Sequence, residues 1–267
     1  MKNLAWHTKL ALAFLIIVPL WFVIGALGTK IGLWSWQIGL GFFAFQAGIY
    51  VLGLAALVAL LSLILAAIKK PRSRVALGIA IAGLLLPAII FAQFVTTRSV
   101  AGDNPIHDVS TDTADPPQLS PETRRMRLQA EANPLNDYQT PLREIEMFAS
   151  LPNEVKIKSH AQIINETYAE LAPLPLGGAT RDDAVAAVAA AMGQMGFADI
   201  RTDAEAGRVE GVAETFWYGF KDDVVARIGE AEIDFRSVSR VGRSDLGANA
   251  ERIAELRERV AAQIGQR

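Results

Sequence analysis

No acidic residue precedes Asp103, and the eight Lys and Arg of that stretch are set apart by long uncharged apolar runs. Leu10 to Leu27 and Val75 to Val95 are each long enough to cross the roughly 30 Å hydrocarbon core of a bilayer as a helix. Each contains a proline, Pro19 and Pro87, which a membrane helix tolerates as a kink. Between them Ile31 to Ile68 carries no charge at all, too long for one span and short for two.

Charge placement resolves the count. Lys2 and Lys9 precede the first run, and Lys69, Lys70, Arg72 and Arg74 form the basic cluster between spans. Basic loops stay on the cytoplasmic side, so an even number of crossings separates the two groups and Ile31 to Ile68 holds one span. It is predicted near Phe45 to Ile68, with Trp21, Trp34 and Trp36 as interface anchors. Gly28 and Gly32 stand at the spacing of membrane-helix dimers, a pattern that glycine-rich spans also produce by chance. A secretory signal peptide would share the basic start, but two further spans argue for a retained anchor. A third crossing then delivers everything after Arg98 to the far side, which in a bacterium is the periplasm. The expectation is an inner-membrane protein with a cytoplasmic N-terminus: a transmembrane anchor over residues 1–99 and an extracytoplasmic domain over 100–267.

That second part carries all 28 acids against 18 bases, so the two parts are near +8 and −10. That acidic balance argues against a nucleic-acid partner, because phosphate binding is driven mainly by Lys and Arg. There is no cysteine, hence no disulfide framework and no thiolate metal site.

The domain's densest stretch is Thr215 to Asn249. Two period-two segments flank a turn at Gly229-Glu230, as half-buried antiparallel strands require. Val224, Ala226 and Ile228 share a face with Ile233, Phe235, Ser237 and Val241, which predicts the core side. The opposite face gathers Asp223, Val225 and Arg227 with Asp234, Arg236, Val238 and Arg240. A two- or four-residue loop leaves those faces unchanged, so Arg227 meets Asp234 and Asp223 meets Arg236 as ion pairs on a solvated face. The other reading is an anion site lined by Arg236, Arg240 and Arg243 and completed by the amides of the next helix. Ser244 or Asp245 caps that helix, whose apolar stripe runs Leu246, Ala250, Ile253, Leu256, Val260, Ile264.

Upstream, Ser120 to Glu131 reads as a short solvated helix carrying Arg124, Arg125 and Arg127, and Thr140 starts another through Phe148. Tyr168 to Leu176 is an apolar, proline-rich strap for the sheet. Thr180 and Asp183 box a helix whose Val185, Val188, Met192 and Met195 face the core and which ends at Gly196. Ala198 to Thr202 and Arg208 to Tyr218 supply two more strands. The predicted fold class is an α-helical membrane anchor of three transmembrane helices plus an α+β domain, an antiparallel β-meander of about four strands packed on helices in two layers.

The run Ile106-His107-Asp108-Val109-Ser110-Thr111-Asp112 with Asp115-Pro116-Pro117, the Tyr168 to Leu174 strap, Phe216 to Arg227 and Arg236 to Asn249 resemble the bacterial and plastid family called domain of unknown function 1499. The resemblance covers about Asn104 to Ile264. It implies an uncharacterised domain often attached to membrane spans, and brings no catalytic residue with it. Where the strap would often read Tyr-Pro-Asp, this chain has Tyr168-Ala169-Glu170.

No hydrolase elbow, zinc-protease helix, phosphate loop or dinucleotide fingerprint occurs, and no cofactor is implied. An envelope hydrolase would need His107 within reach of Ser239 or Ser244. His107, Asp108, Asp112 and Asp115 form a candidate metal set, but their spacing matches no loop of known ligand geometry. A ligand site would use Arg236, Arg240, Arg243, Ser244 and Asp245, with Trp217 and Tyr218 as its apolar wall. The leading expectation is a non-catalytic scaffold or interaction domain. Its partners are the lipid bilayer and an envelope protein, or a lipid, with no nucleic acid.

Overall fold

The computed structural model describes residues 4–265; Lys2, counted above in the first basic group, lies outside the described residues. Its contacts divide the chain into two compact units, Met1–Ser99 with Phe216–Gly219, and Val100–Thr215 with Phe220–Arg267.

The first unit is built on three helices long and apolar enough to cross a membrane, which suggests membrane insertion. Helix α1 spans Trp6–Lys30 and contains Pro19. The second helical run starts at Gln37, earlier than the predicted Phe45: nothing charged interrupts it, and its first ten residues, Gln37–Gln46, wind as a π-helix before α2, Ala47–Ile68. Helix α3 runs Arg74–Asp103 through Pro87. Two of the tryptophans read as interface anchors satisfy their indole N–H groups inside this unit. Trp21 donates to Phe43 O at 2.8 Å and Trp34 to Gly25 O at 3.1 Å. Gly28 exists for Trp34, since a Cβ there would sit 2.1 Å from the indole. Its partner in the dimer-like pair, Gly32, occupies a turn at φ 74°.

The second unit is an antiparallel sheet covered on both faces. Its meander is β3 (Ala198–Asp203), β4 (Arg208–Glu214), β5 (Lys221–Ile228) and β6 (Glu232–Ser239). Two short strands add to β6: β1, Asp108–Ser110, and β2, Leu174–Pro175, the latter inside the strap. The sheet, ordered β1-β6-β5-β4-β3 with β2 paired to β6 off that path, therefore has two strands beyond the four predicted. They were invisible to periodicity because segments of two and three residues have none. The strand predicted to reach Tyr218 ends at Glu214, and Phe216–Tyr218 leave the sheet as a hairpin tip.

Ile228 pairs with Ile233, which selects the four-residue loop, and places Arg227 opposite Asp234. Val224, Ala226, Ile228, Ile233 and Phe235 all bury in the main core with α7 (Arg181–Gln194) and α8 (Ala248–Ile264). Thr180 Oγ1 accepts from Asp183 N, and Gly196 turns the chain out of α7 at φ 75°. On α8 the stripe Ala250, Ile253, Leu256 and Val260 is buried, but Leu246 is not part of it; it precedes the helix at φ 60° and is exposed. The predicted helix over Thr140 to Phe148 is two single 3₁₀ turns, Leu142–Glu144 and Glu146–Phe148, followed by two short helices, α5 (Asn153–Lys156) and α6 (His160–Thr167).

The largest correction concerns the charged face. It is not solvated: α4, Pro121–Gln129, and the loop before it lie across it, so Val225, Val238 and Leu119 form a second small core there. The expected two layers become three at this point.

Candidate functional site

Every ionic side chain put under α4 needs a partner, because an unpaired charge removed from water costs several kcal/mol. Asp108 on β1 meets that need for Arg236. Arg236 Nε donates to Oδ1 at 2.9 Å and Nη2 to Oδ2 at 2.7 Å, both side chains being almost wholly buried. Nη1 donates to Pro117 O at 3.2 Å, and the Tyr138 hydroxyl donates to Asp108 Oδ1 at 2.5 Å. Burial opposes ionisation of Asp108, yet the Arg236 guanidinium and the Tyr138 hydroxyl hold its carboxyl below the ordinary range. Burial and the Asp108 charge push the Tyr138 phenol well up.

Asp223 is the second node. Arg240 binds it with both prongs, Nε to Oδ2 at 2.9 Å and Nη2 to Oδ1 at 2.6 Å. Arg127 of α4 adds Nη1 to Oδ2 at 2.6 Å and reaches Asn133 O with Nη2. The expected pair Asp223 to Arg236 does not form, because the register sets Asp223 opposite Val238 and Arg236 opposite Val225. Arg227 does meet Asp234, and also takes Asp112 and Asp115 from the overlying loop. Glu210 of β4 accepts from Ser120 N, Ser120 Oγ and Thr123 Oγ1 at 2.5, 2.7 and 2.6 Å, clamping the start of α4 to the sheet.

On the helix side, Asn249 is wholly buried and serves as a joint. Its Nδ2 donates to His107 O and Ser239 Oγ, while its Oδ1 accepts from Ser237 Oγ and Arg252 Nη1. Asp245 caps α8 by accepting from Gly247 N at 2.8 Å and Asn249 N at 2.9 Å. The anion reading of this helix end therefore finds it filled by the chain's own carboxylate.

The proposed ligand residues are thus not gathered around one opening. Arg236 and Arg240 are each committed to a carboxylate beneath α4; Arg243 is exposed and donates to Ser150 Oγ at 2.6 Å. Ser244 Oγ donates to Asn104 O, and Trp217 and Tyr218 stand at the hairpin tip. The metal set is also dispersed. Asp108 belongs to Arg236, Asp112 and Asp115 to Arg227, and among the described residues no group of three or more His, Asp or Glu is arranged to hold a metal.

His107 is buried and bonds neither Ser239 nor Ser244 as a hydrolase base would. Its ring stacks on Phe148, with centroids 6.0 Å apart. His160 is likewise wholly buried, stacked on Tyr138 at 5.6 Å, with both nitrogens unbonded. Burial lowers both imidazoles, His160 to about 4; Asp108 pulls the other way on each. A surface groove of about 350 Å³ beside Ser120, Glu122, Arg201, Asp203, Arg208 and Glu210 has both its bases paired, Arg201 with Glu210 and Arg208 with Asp203, which leaves Glu122 as its one extra charge and no cation aimed at a ligand.

Sequence reasoning missed Arg127, Tyr138, His160, Glu210 and Arg252. Two left a signal: Glu210 interrupts the apolar middle of β4, between Val209 and Gly211-Val212-Ala213, and Thr123 with Arg127 share one face of α4, four residues apart. The others are recognisable only by what they touch.

The family model described as "Protein of unknown function (DUF1499)" matches residues 108–260, more than half of the chain. No curated protein and no solved structure matches.

Proposed function

Because the chain belongs to the DUF1499 family, whose description assigns no activity, we propose that it is a membrane-anchored protein whose folded domain is a non-catalytic scaffold or interaction module. The observation that carries this reading is the saturation of the motif. Arg236, Ser237, Ser239, Arg240, Asp245 and Asn249 all spend their hydrogen bonds on Asp108, Asp223, one another or the backbone. A catalytic or ligand-gripping constellation keeps donors aimed at an empty place; this one aims them at itself.

In the proposed topology the N-terminus is cytoplasmic and three crossings deliver the domain to the periplasm. The support is charge placement: no acid before Asp103, and basic groups before the first span and between the second and third. The chain lacks cysteine, so a single Glu230→Cys variant gives a clean probe. On intact spheroplasts a membrane-impermeant maleimide should label it before lysis. Labelling only after lysis would place the domain inside and remove the periplasmic reading. Crosslinking in whole cells should return the same envelope protein repeatedly; an absence of any recurrent adduct would count against a scaffold.

A second reading keeps Arg243, whose exposed guanidinium holds a hydroxyl rather than a carboxylate. On it the domain takes an anionic or lipid-derived ligand, and Arg243→Ala should weaken retention of anionic vesicles. Unchanged retention would retire it.

A further inference from the structure

The connection between β4 and β5 is a closed hairpin tip. Thr215 N donates to Phe220 O and Phe220 N to Thr215 Oγ1, both at 2.9 Å, and Gly219 turns at φ 66°. The tip displays Phe216, 72% exposed, and Trp217, 52% exposed, with their rings edge to face at 5.2 Å. Water is a poor environment for two adjacent large rings held on a rigid turn, and such patches mark contact surfaces.

The register of the sheet shows where this tip stands. The chain passes from α3, ending at Asp103, into β1 at Asp108 with only residues 104–107 between. Ser244 Oγ donates to Asn104 O, Ser239 N to His107 O, and Arg240 N to Lys221 O, the first residue of β5. The tether from α3 and the aromatic tip therefore share one end of the sheet. They are two to three strand spacings apart, roughly 10–14 Å. Leu246 is at the same end: its neighbour Asp245 donates its N–H to Ile106 O. It is 43% exposed and held at φ 60°, a backbone state that disfavours leucine.

We propose that the tip Phe216-Trp217-Tyr218 is a second membrane contact, seated in the headgroup and upper acyl region of the bilayer that the three helices cross. Tryptophan, tyrosine and phenylalanine suit that layer, where an apolar ring and a polar edge are both accommodated. With only residues 104–107 between α3 and β1, the tip adds a second hold on the bilayer beside that chain connection. The contact is apolar, so it does not depend on anionic lipid. It rests on the helices spanning a bilayer but on neither the scaffold role nor the compartment.

The test uses the full chain in phosphatidylcholine proteoliposomes with nitroxide-bearing lipids. An NBD fluorophore is placed at Tyr218→Cys or at Glu230→Cys, the latter on the β5–β6 turn. The eight residues of β5 separate the two by roughly 27 Å at about 3.4 Å each, so position 230 is at the far end of the sheet. Lipid nitroxides should quench the label at 218 at least about threefold more than at 230, given an insertion depth of about 5–10 Å. Adding Phe216→Ser and Trp217→Ser to the Tyr218→Cys chain should bring quenching down to the level of 230 with an unchanged melting transition. Trp217→Phe alone should retain it. Equal quenching at both positions overturns the proposal, as does a label at 218 shielded from iodide yet untouched by lipid nitroxide, the signature of a second copy. Flotation with vesicles after an alkaline wash tests the anchor separately: loss of flotation sinks the membrane reading itself, whereas retained flotation without quenching sinks only the tip.

Discussion

Arg236 and Asp108, 128 residues apart in sequence, face each other in a two-pronged ion pair that ties the last strand of the sheet to the first. Neither has water to fall back on. Asp108→Ala should therefore cost about 3–5 kcal/mol, the penalty for stranding a buried charge. The double variant Asp108→Ala/Arg236→Met should recover much of that loss. Urea unfolding of the detergent-solubilised chain measures both; a double variant no more stable than the single would show that the pair does more than neutralise itself.

Asn249 holds four hydrogen bonds at the junction of β1, β6 and α8. Asn249→Ala leaves His107 O and the hydroxyls of Ser237 and Ser239 short of partners. A loss of about 2–4 kcal/mol is expected, from about 1–3 for each buried group left unsatisfied and some relaxation. Thermal melting reads it, and a shift of less than a degree would mean that water takes over the site.

Acid should loosen the domain through His160. Its ordinary value is 6.5 and burial brings it to about 4 in the fold, with His107 and Arg236 adding to the fall and Asp108 and Asp137 opposing it. The unfolded chain thus binds the proton first, so stability present above pH 6.5 drains away as the pH drops towards 4. For this group alone the loss is on the order of 3 kcal/mol. Asp245, raised by burial to about 6, acts in the opposite sense. The difference between wild type and His160→Phe isolates the histidine. Since both imidazole nitrogens are unbonded and the ring stacks on Tyr138, the phenylalanine variant should match wild type within about 1 kcal/mol at pH 7.5 and exceed it at pH 4.5. Parallel pH profiles would refute this.

Gly39 belongs to the helical unit's tightest approach: a Cβ there would stand 1.7 Å from Thr29 Oγ1, whose hydroxyl donates to Gly25 O. Gly39→Leu should part α1 from the π-helical segment and lower the melting temperature of the detergent-solubilised chain. Gly41→Leu, with nothing within 4 Å of its Cβ, should leave it unchanged. Equal effects would mean the glycines serve helix bending rather than packing.

Much of the architecture is legible in the order of the residues. The uncharged runs announced three membrane-length helices, and the alternation on either side of Gly229-Glu230 announced the face that Val224, Ala226 and Phe235 bury. The Thr180 and Asp245 caps were readable because a cap is a local device, satisfied within four residues; the reciprocal half of the predicted box is not made, since the Asp183 carboxylate takes the Thr180 hydroxyl rather than its backbone N–H. Arg227 to Asp234 was readable for the same reason: a short loop joins its two strands.

What remained hidden was everything decided at long range. The sequence by itself determined which side chains share a face, because pleat and helix periods follow from backbone geometry alone. Only the tertiary structure decided that the charged face would be roofed by α4, that Arg236 would find Asp108 rather than Asp223, and that His160 would be sealed among rings. Those outcomes depend on where segments far apart in the chain are folded back onto the sheet, and a buried charge takes whichever counter-charge arrives there, since leaving it alone in a low-dielectric interior is the costlier state.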